Sequence, residues 1–165
     1  MSFSKDNITV MGVEIERKYT VIGDAWKQNI TGSDNIIQGY LANTDKCSIR
    51  IRSSSDKASI NLKSMTIGIQ RSEFEYPIPL EDAKHLLDNL CLQPVIIKNR
   101  YYVRHANDCW EVDVFKGENV GLVVAEIELD KPDQAFDIPT WLGDEVSNDI
   151  RYYNVSLVEN PYQNW

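Results

Sequence analysis

Residues 13–18 read Val-Glu-Ile-Glu-Arg-Lys, which sets two carboxylates and an ammonium at alternate positions. In a strand, side chains alternate faces with period two, so Glu14, Glu16 and Lys18 share one face while Ile15 and Arg17 point the other way. Two carboxylates so placed can share a hard cation such as Mg²⁺ or Mn²⁺, and the ammonium beside them can hold a phosphate. In a helix, Glu14 and Lys18 would form an ordinary i,i+4 ion pair with Glu16 on the far side. The surrounding sequence must choose between the two.

The same charge spacing recurs along the chain. Acidic pairs stand at Glu73/Glu75, Glu111/Asp113 and Glu126/Glu128, and basic pairs at Arg50/Arg52 and Lys98/Arg100, each opposite Ile, Leu, Val, Phe or Trp. Strands are expected over 36–41, 47–52, 58–63, 70–76 (ended by Pro77 and Pro79), 95–104, 109–115 and 121–129, with a last short one at 150–153. A helix is expected over 80–90, where Leu80, Ala83, Leu86, Leu87 and Leu90 fall at helical spacing and Glu81 and Asp82 suit the positive end of the dipole. Residues 23–34 read as a short helix and turn around Trp26, 130–143 as loop and short helix, and 154–159 as a closing helical turn.

The bulk numbers bound the function. A chain of 165 residues suggests one domain, 1–165, with a real core. A net charge of −8 argues against a nucleic-acid binder. No apolar run approaches a membrane span and no export signal is visible, so the default is a cytoplasmic protein. Cys47, Cys91 and Cys109 form no CxxC pair, so neither a zinc site nor a disulfide framework is indicated, and His85 and His105 stand alone.

Each strand thus has one charged and one apolar face. A two-sided sheet with a solvated charged face satisfies this pattern. So does a barrel closed around the charges and covered outside by helices and loops. Its lumen would have a metal-binding acidic side and an anion-binding basic side, bridged by a metal-chelated polyphosphate.

Glu14-Ile-Glu-Arg-Lys18 matches an ExExK signature, and further stretches occur in the same family's order. They are Gln38-Gly-Tyr-Leu41, Arg50-Ile-Arg52, Asn61-Leu-Lys63, Arg71-Ser-Glu-Phe-Glu-Tyr76, Lys98-Asn-Arg-Tyr101, Trp110 to Phe115, Gly121 to Glu128 and Arg151-Tyr-Tyr-Asn154. Across nearly its whole length the chain resembles the CYTH superfamily, the triphosphate tunnel metalloenzymes, and within it the short bacterial inorganic triphosphatases.

That resemblance implies an α+β, mainly β fold: an eight-stranded antiparallel closed barrel with a charged lumen and helices packed outside. It implies hydrolysis of the terminal phosphoanhydride of a triphosphate, most simply inorganic triphosphate, with Mg²⁺ or Mn²⁺. Class IV adenylyl cyclase and thiamine triphosphatase are alternatives within the family, and a polyphosphate-binding module without turnover is one outside enzymology. The metal ligands are expected at Glu14, Glu16, Asp113, Glu126 and Glu128. Phosphate contacts are expected from Lys18, Arg50, Arg52, Lys63, Arg71, Arg100 and Arg151, with Tyr40 adding a hydroxyl. Lys98 resembles a lysine that activates water, and its cationic neighbours would lower its pKa as a base requires. Structural pairing of the cations with Glu73, Glu75 or Glu111 is the competing role. Trp110 and Phe115 are read as outer packing residues. The expected partner is a small-molecule triphosphate, with no nucleic acid or membrane, and the chain is either a monomer or a homodimer.

Overall fold

The computed structural model describes residues 12–165, and all that follows refers to them. Ten antiparallel strands dominate: β1 (Glu14–Val21), β2 (Ile30–Asn43), β3 (Cys47–Ser53), β4 (Ala58–Ser64), β5 (Gln70–Arg71), β6 (Glu73–Ile78), β7 (Ile96–His105), β8 (Asp108–Phe115), β9 (Val123–Glu128) and β10 (Leu142–Glu145). Helix α1 spans Leu80–Asn89 and α2 spans Ser156–Glu159. No helix is long and apolar enough to cross a membrane.

The strand order is β10-β1-β9-β8-β7-β2-β3-β4-β6, with β5 paired to β1 off this path. This corrects the expected eight-stranded closed barrel: the ladder has ten strands and does not close. The segment expected as one strand over 70–76 explains the difference. Gln70 and Arg71 pair with β1, whereas Glu73 onward pairs with β4. The break falls at Ser72, whose N–H donates to the Ser64 hydroxyl rather than to a backbone carbonyl. The two halves of the sheet therefore meet through a two-residue ladder and through side chains. Pro77 lies inside β6, not beyond its end, which an edge strand tolerates because its missing N–H faces no partner.

Three further expectations change. A 3₁₀ turn at Ala25–Asn29 buries Trp26, but residues from Ile30 onward join β2 because they pair with β7. The loop expected over 130–143 runs into β10, which pairs with β1 at Tyr19 and Val21. Residues Ile150–Tyr152 form a 3₁₀ turn rather than a strand, started by the Asp149 carboxylate accepting from the Arg151 N–H.

Buried apolar side chains form three clusters, two on the outer faces and one on the inner. Ile15, Val112 and Ile127 lie under Trp26, Trp110 and Trp141. Phe115 and Val124 share the inward face of Asp113 and Glu126, and with Tyr40 and the C-terminal Leu157 and Val158 they fill part of the inside of the sheet. Ile51 and Ala58 lie under Ala83 and Leu87 of α1. Gly39 permits the last contact, because a Cβ there would stand 2.8 Å from the Cys91 side chain. With the outside covered, the charged faces turn inward around a cavity.

Candidate active site

A cavity of about 400 Å³ runs along the inner face of the sheet. It is lined by Glu14, Glu16, Lys18, Tyr40, Arg50, Arg52, Lys63, Arg71, Arg100, Glu126 and Glu128 among the expected site residues. Strand register explains the grouping. Glu16 opposes Glu128 and Lys18 opposes Glu126 across β1–β9, and Glu14 opposes Arg71 across β1–β5. Tyr40 opposes Arg50 across β2–β3. The β1–β9 side is thus mainly acidic and the β2–β3 side basic.

At the mouth, Glu14 accepts from Lys63 Nζ at 2.8 and 2.9 Å and from Arg71 Nε at 2.7 Å, and Arg71 Nη2 reaches Glu16 at 2.6 Å. These pairs stitch β1 to β4 where the backbone ladder is open. Burial, with Arg50 close by, pushes the Lys63 ammonium down despite the Glu14 carboxylate. Burial and then Glu14, Glu16 and Glu73 push the Glu128 carboxyl up, so this corner is overcrowded with negative charge. Among the described residues no three carboxylates already converge on one point at ligand distance.

Deeper in, Glu126 lies between Lys18 at 2.9 Å and Arg100 at 3.0 Å. Burial opposes its charge, but the two cations and Lys98 hold it well below the carboxylate range. Burial also pushes Lys18 down, yet Glu126 and Glu16 outweigh it and leave its pKa raised. Arg100 forks onto Asp113 at 2.8 Å and pairs with Glu111.

The basic side is built differently. Arg50 has only a long ion pair to Glu73, at 3.6 Å, and its Nε and Nη2 are buried without a hydrogen bond. Arg52 makes no ion pair or hydrogen bond among the described residues, and its Nε is buried. Burial, then Arg50 and Arg100, push its guanidinium down to about 10. Charged donors held out of water without an acceptor are costly, and an anion in the cavity removes that cost.

Three expected residues lie off the cavity. Lys98 and Asp113 are both 0% exposed and paired to each other beside Arg100, with Lys98 Nζ over the Phe115 ring. Burial lowers Lys98 to about 8, but its amine does not line the cavity. Arg151 is 59% exposed, pairs with Asp149 and lies over Tyr152 and Trp165 on the outside. Trp110 is buried in an outer cluster, as read from sequence, whereas Phe115 is buried on the inward face beside Lys98, which corrects its reading as an outer residue. The structure also adds residues. Glu111 lines the cavity. Asn61 donates to Glu73 at 3.0 Å and Glu75 at 2.5 Å. The Tyr153 ring stands 5.8 Å from Arg71 Cζ and 5.9 Å from Lys18 Nζ, while its hydroxyl accepts from Gly68 N–H and donates to the Ser147 carbonyl. Glu111 belongs to an acidic pair visible in the sequence, whereas Asn61 and Tyr153 are neutral and carry no charge alternation.

The CYTH domain model matches residues 12–162. This chain belongs to the CYTH domain family. An inorganic triphosphatase of Acetivibrio thermocellus is 46% identical over 155 residues, covering 94% of this chain and 99% of the relative. Another from Nitrosomonas europaea is 33% identical over 148 residues, covering 87% and 95% respectively. The crystal structure of an inorganic triphosphatase, 31% identical, superposes with a TM-score of 0.62 over 88% of this CYTH chain and 93% of its own.

Proposed function

We propose that the protein is an inorganic triphosphatase, acting as a single domain in the cytoplasm with Mg²⁺ or Mn²⁺. The observation that carries this reading is the basic side of the cavity. Arg50 and Arg52 present buried N–H groups with no adequate acceptor, directly across from a carboxylate cluster. A linear polyanion laid between the two sides meets guanidinium forks suited to phosphate oxygens. The relatives that bear the name inorganic triphosphatase supply the substrate class.

The carboxylates at the mouth fit a hard dication, because Glu128 is held up by its own acidic neighbours and oxygen donors suit Mg²⁺ or Mn²⁺. Glu14, Glu16 and Glu128 would hold it. Glu126 and Asp113 stand apart from that corner, paired with Lys18, Arg100 and Lys98. When bound, the cation supplies charge neutralisation at the phosphate oxygens.

The chain's own residues do the rest. Arg50 and Arg52 hold the phosphate chain, Lys18 and Arg100 flank it, and Lys63 and Arg71 can turn from Glu14 toward it. Tyr40 offers its hydroxyl. A water oxygen attacks the terminal phosphorus in line, the bond to the bridging oxygen breaks, and orthophosphate and pyrophosphate separate. We assign the proton acceptor to Lys63 rather than Lys98. Both ammonium groups are pushed down by burial, but only Lys63 lines the cavity. Lys98 acts from off the cavity, fixing Asp113, which fixes Arg100.

The test is phosphate release from triphosphate, ATP, thiamine triphosphate and longer polyphosphate, each with Mg²⁺, Mn²⁺ or EDTA. Metal-dependent release with triphosphate preferred is expected. Binding without turnover of any of the four would overturn the enzymatic reading.

A further inference from the structure

Gln38 is a buried polar group that the proposed mechanism leaves idle. It is 0% exposed, and neither its Nε2 nor its Oε1 has a hydrogen-bond partner. A fully buried amide with both ends unmatched is rare, and its place accounts for it. Gln38 sits on β2 between Ile36 and Tyr40, and opposes Arg52 across β2–β3. Its neighbour Gly39 faces α1 and Cys91 on the outside, so the Gln38 side chain turns to the inside. Directly opposed residues have Cβ atoms about 5 Å apart on one face. The Arg52 Nε, also buried and unmatched, belongs to the residue directly opposite.

We propose that Gln38 is a positioning residue for the anion site: its amide backs Arg52 with a neutral acceptor, through one bridging water, and aims the guanidinium into the cavity. The inference rests on the triphosphate reading above. Neutrality is the point of it. Elsewhere in the site a cation is backed by a carboxylate: Arg71 by Glu14 and Glu16, Arg100 by Asp113, Lys18 by Glu126. Those cations are already neutralised before any ligand arrives. Arg52 alone among these is oriented without being neutralised, so its full charge is kept for the incoming phosphate. Two residues along β2, Tyr40 opposes Arg50, so the two unmatched arginines stand on successive rungs of the same face. Burial, then Arg50 and Arg100, with no carboxylate in contact, hold Arg52 at about 10.

Two substitutions separate orientation from neutrality. Gln38→Glu is isosteric and puts a carboxylate behind Arg52. Gln38→Met keeps the volume and removes the acceptor. The measurements are triphosphate affinity by calorimetry in EDTA, melting temperature without ligand, and kcat and KM with metal. Gln38→Glu is expected to raise the ligand-free melting temperature and to weaken triphosphate binding by about tenfold or more, the usual worth of one charge-assisted contact. Gln38→Met is expected to leave the melting temperature unchanged or higher and to lower kcat/KM, with binding hurt less than in Gln38→Glu. Wild-type affinity and kinetics in both variants, with both folded, overturn the role of Gln38. A wild-type protein that binds no triphosphate at all overturns the functional reading instead, and the two failures are distinguishable in the same titration.

Discussion

Arg52→Met is the sharpest test of the basic wall. The guanidinium is held at about 10, below its ordinary range, by burial and by Arg50 and Arg100. At about 1.36 kcal/mol per tenfold in proton affinity, that is roughly 3 kcal/mol against the charged form. Water reaching the side chain from the cavity screens it, and roughly 1–2 kcal/mol is a fairer figure. The sign follows from the unfolded chain, where the same group is charged at no cost. The penalty is present throughout neutral pH and fades only as pH rises through about 10, where the folded group releases its proton. Met keeps the stem's volume and removes the charge, so without anion or metal the variant should be more stable than wild type. For a domain of this size the gain is roughly 2–6 °C in melting temperature. Saturating triphosphate in EDTA should raise the wild-type melting temperature, by about 2.7 kcal/mol equivalent at a hundredfold excess over Kd. The variant should lose most of that shift. Both are read in one thermal-denaturation series. A variant that melts lower than wild type without ligand, yet still shifts fully with triphosphate, would show that Arg52 is structural and refute the reasoning.

Glu128→Gln should raise stability without metal at neutral pH, since its carboxyl is pushed up by burial and by Glu14, Glu16 and Glu73. The gain should vanish as pH falls below about 4, where the wild-type group is protonated in both states; an unchanged gain at low pH would refute the crowding. The same change and Glu14→Gln should each abolish metal-dependent turnover, checked by phosphate release against Mn²⁺ concentration. Lys63→Arg keeps a cation that cannot accept a proton, so kcat should fall by roughly 10²-fold and the rise of rate with pH should disappear. Lys98→Arg should keep that pH dependence, and the reverse pattern would restore Lys98 as the base. Arg151→Ala should leave kcat and KM near wild type, because its guanidinium lies outside on Asp149, Tyr152 and Trp165.

Much of the site was legible because charge at i and i+2 fixes which face of a strand is inside. Glu14, Arg50, Lys63, Arg100, Glu126 and Glu128 line one cavity, while Ile15, Val112 and Ile127 pack outside. Alternation states a face and not a position along it, so it could not show that Lys98 and Asp113 are paired with each other and do not line the cavity. Pairing partners were equally silent. The turn of the chain at Ser72 depends on β1 and β4 competing for one segment, and β10 exists only because β1 offers it an edge. Arg151 misled because Asp149 caps a 3₁₀ turn where alternation suggested a strand. Gln38, Asn61 and Tyr153 carry no charge, and their importance lies in what stands opposite them.

Strand β1 has its register partners near the other end of the chain: Lys18 opposes Glu126 and Glu16 opposes Glu128. During synthesis β1 therefore leaves the ribosome long before anything can hydrogen-bond to that edge. The acidic mouth cannot be assembled until β9 has emerged, and the meander from β2 to β8 must wait for its closing partner. Such long-range pairing makes folding slow and leaves the nascent edge open to wrong strands. Glu14, Glu16 and Lys18 make that edge a charged one, which discourages pairing with apolar strands while it waits. The residues proposed to grip metal and phosphate in the finished enzyme thus also keep its first strand apart until its partner is made.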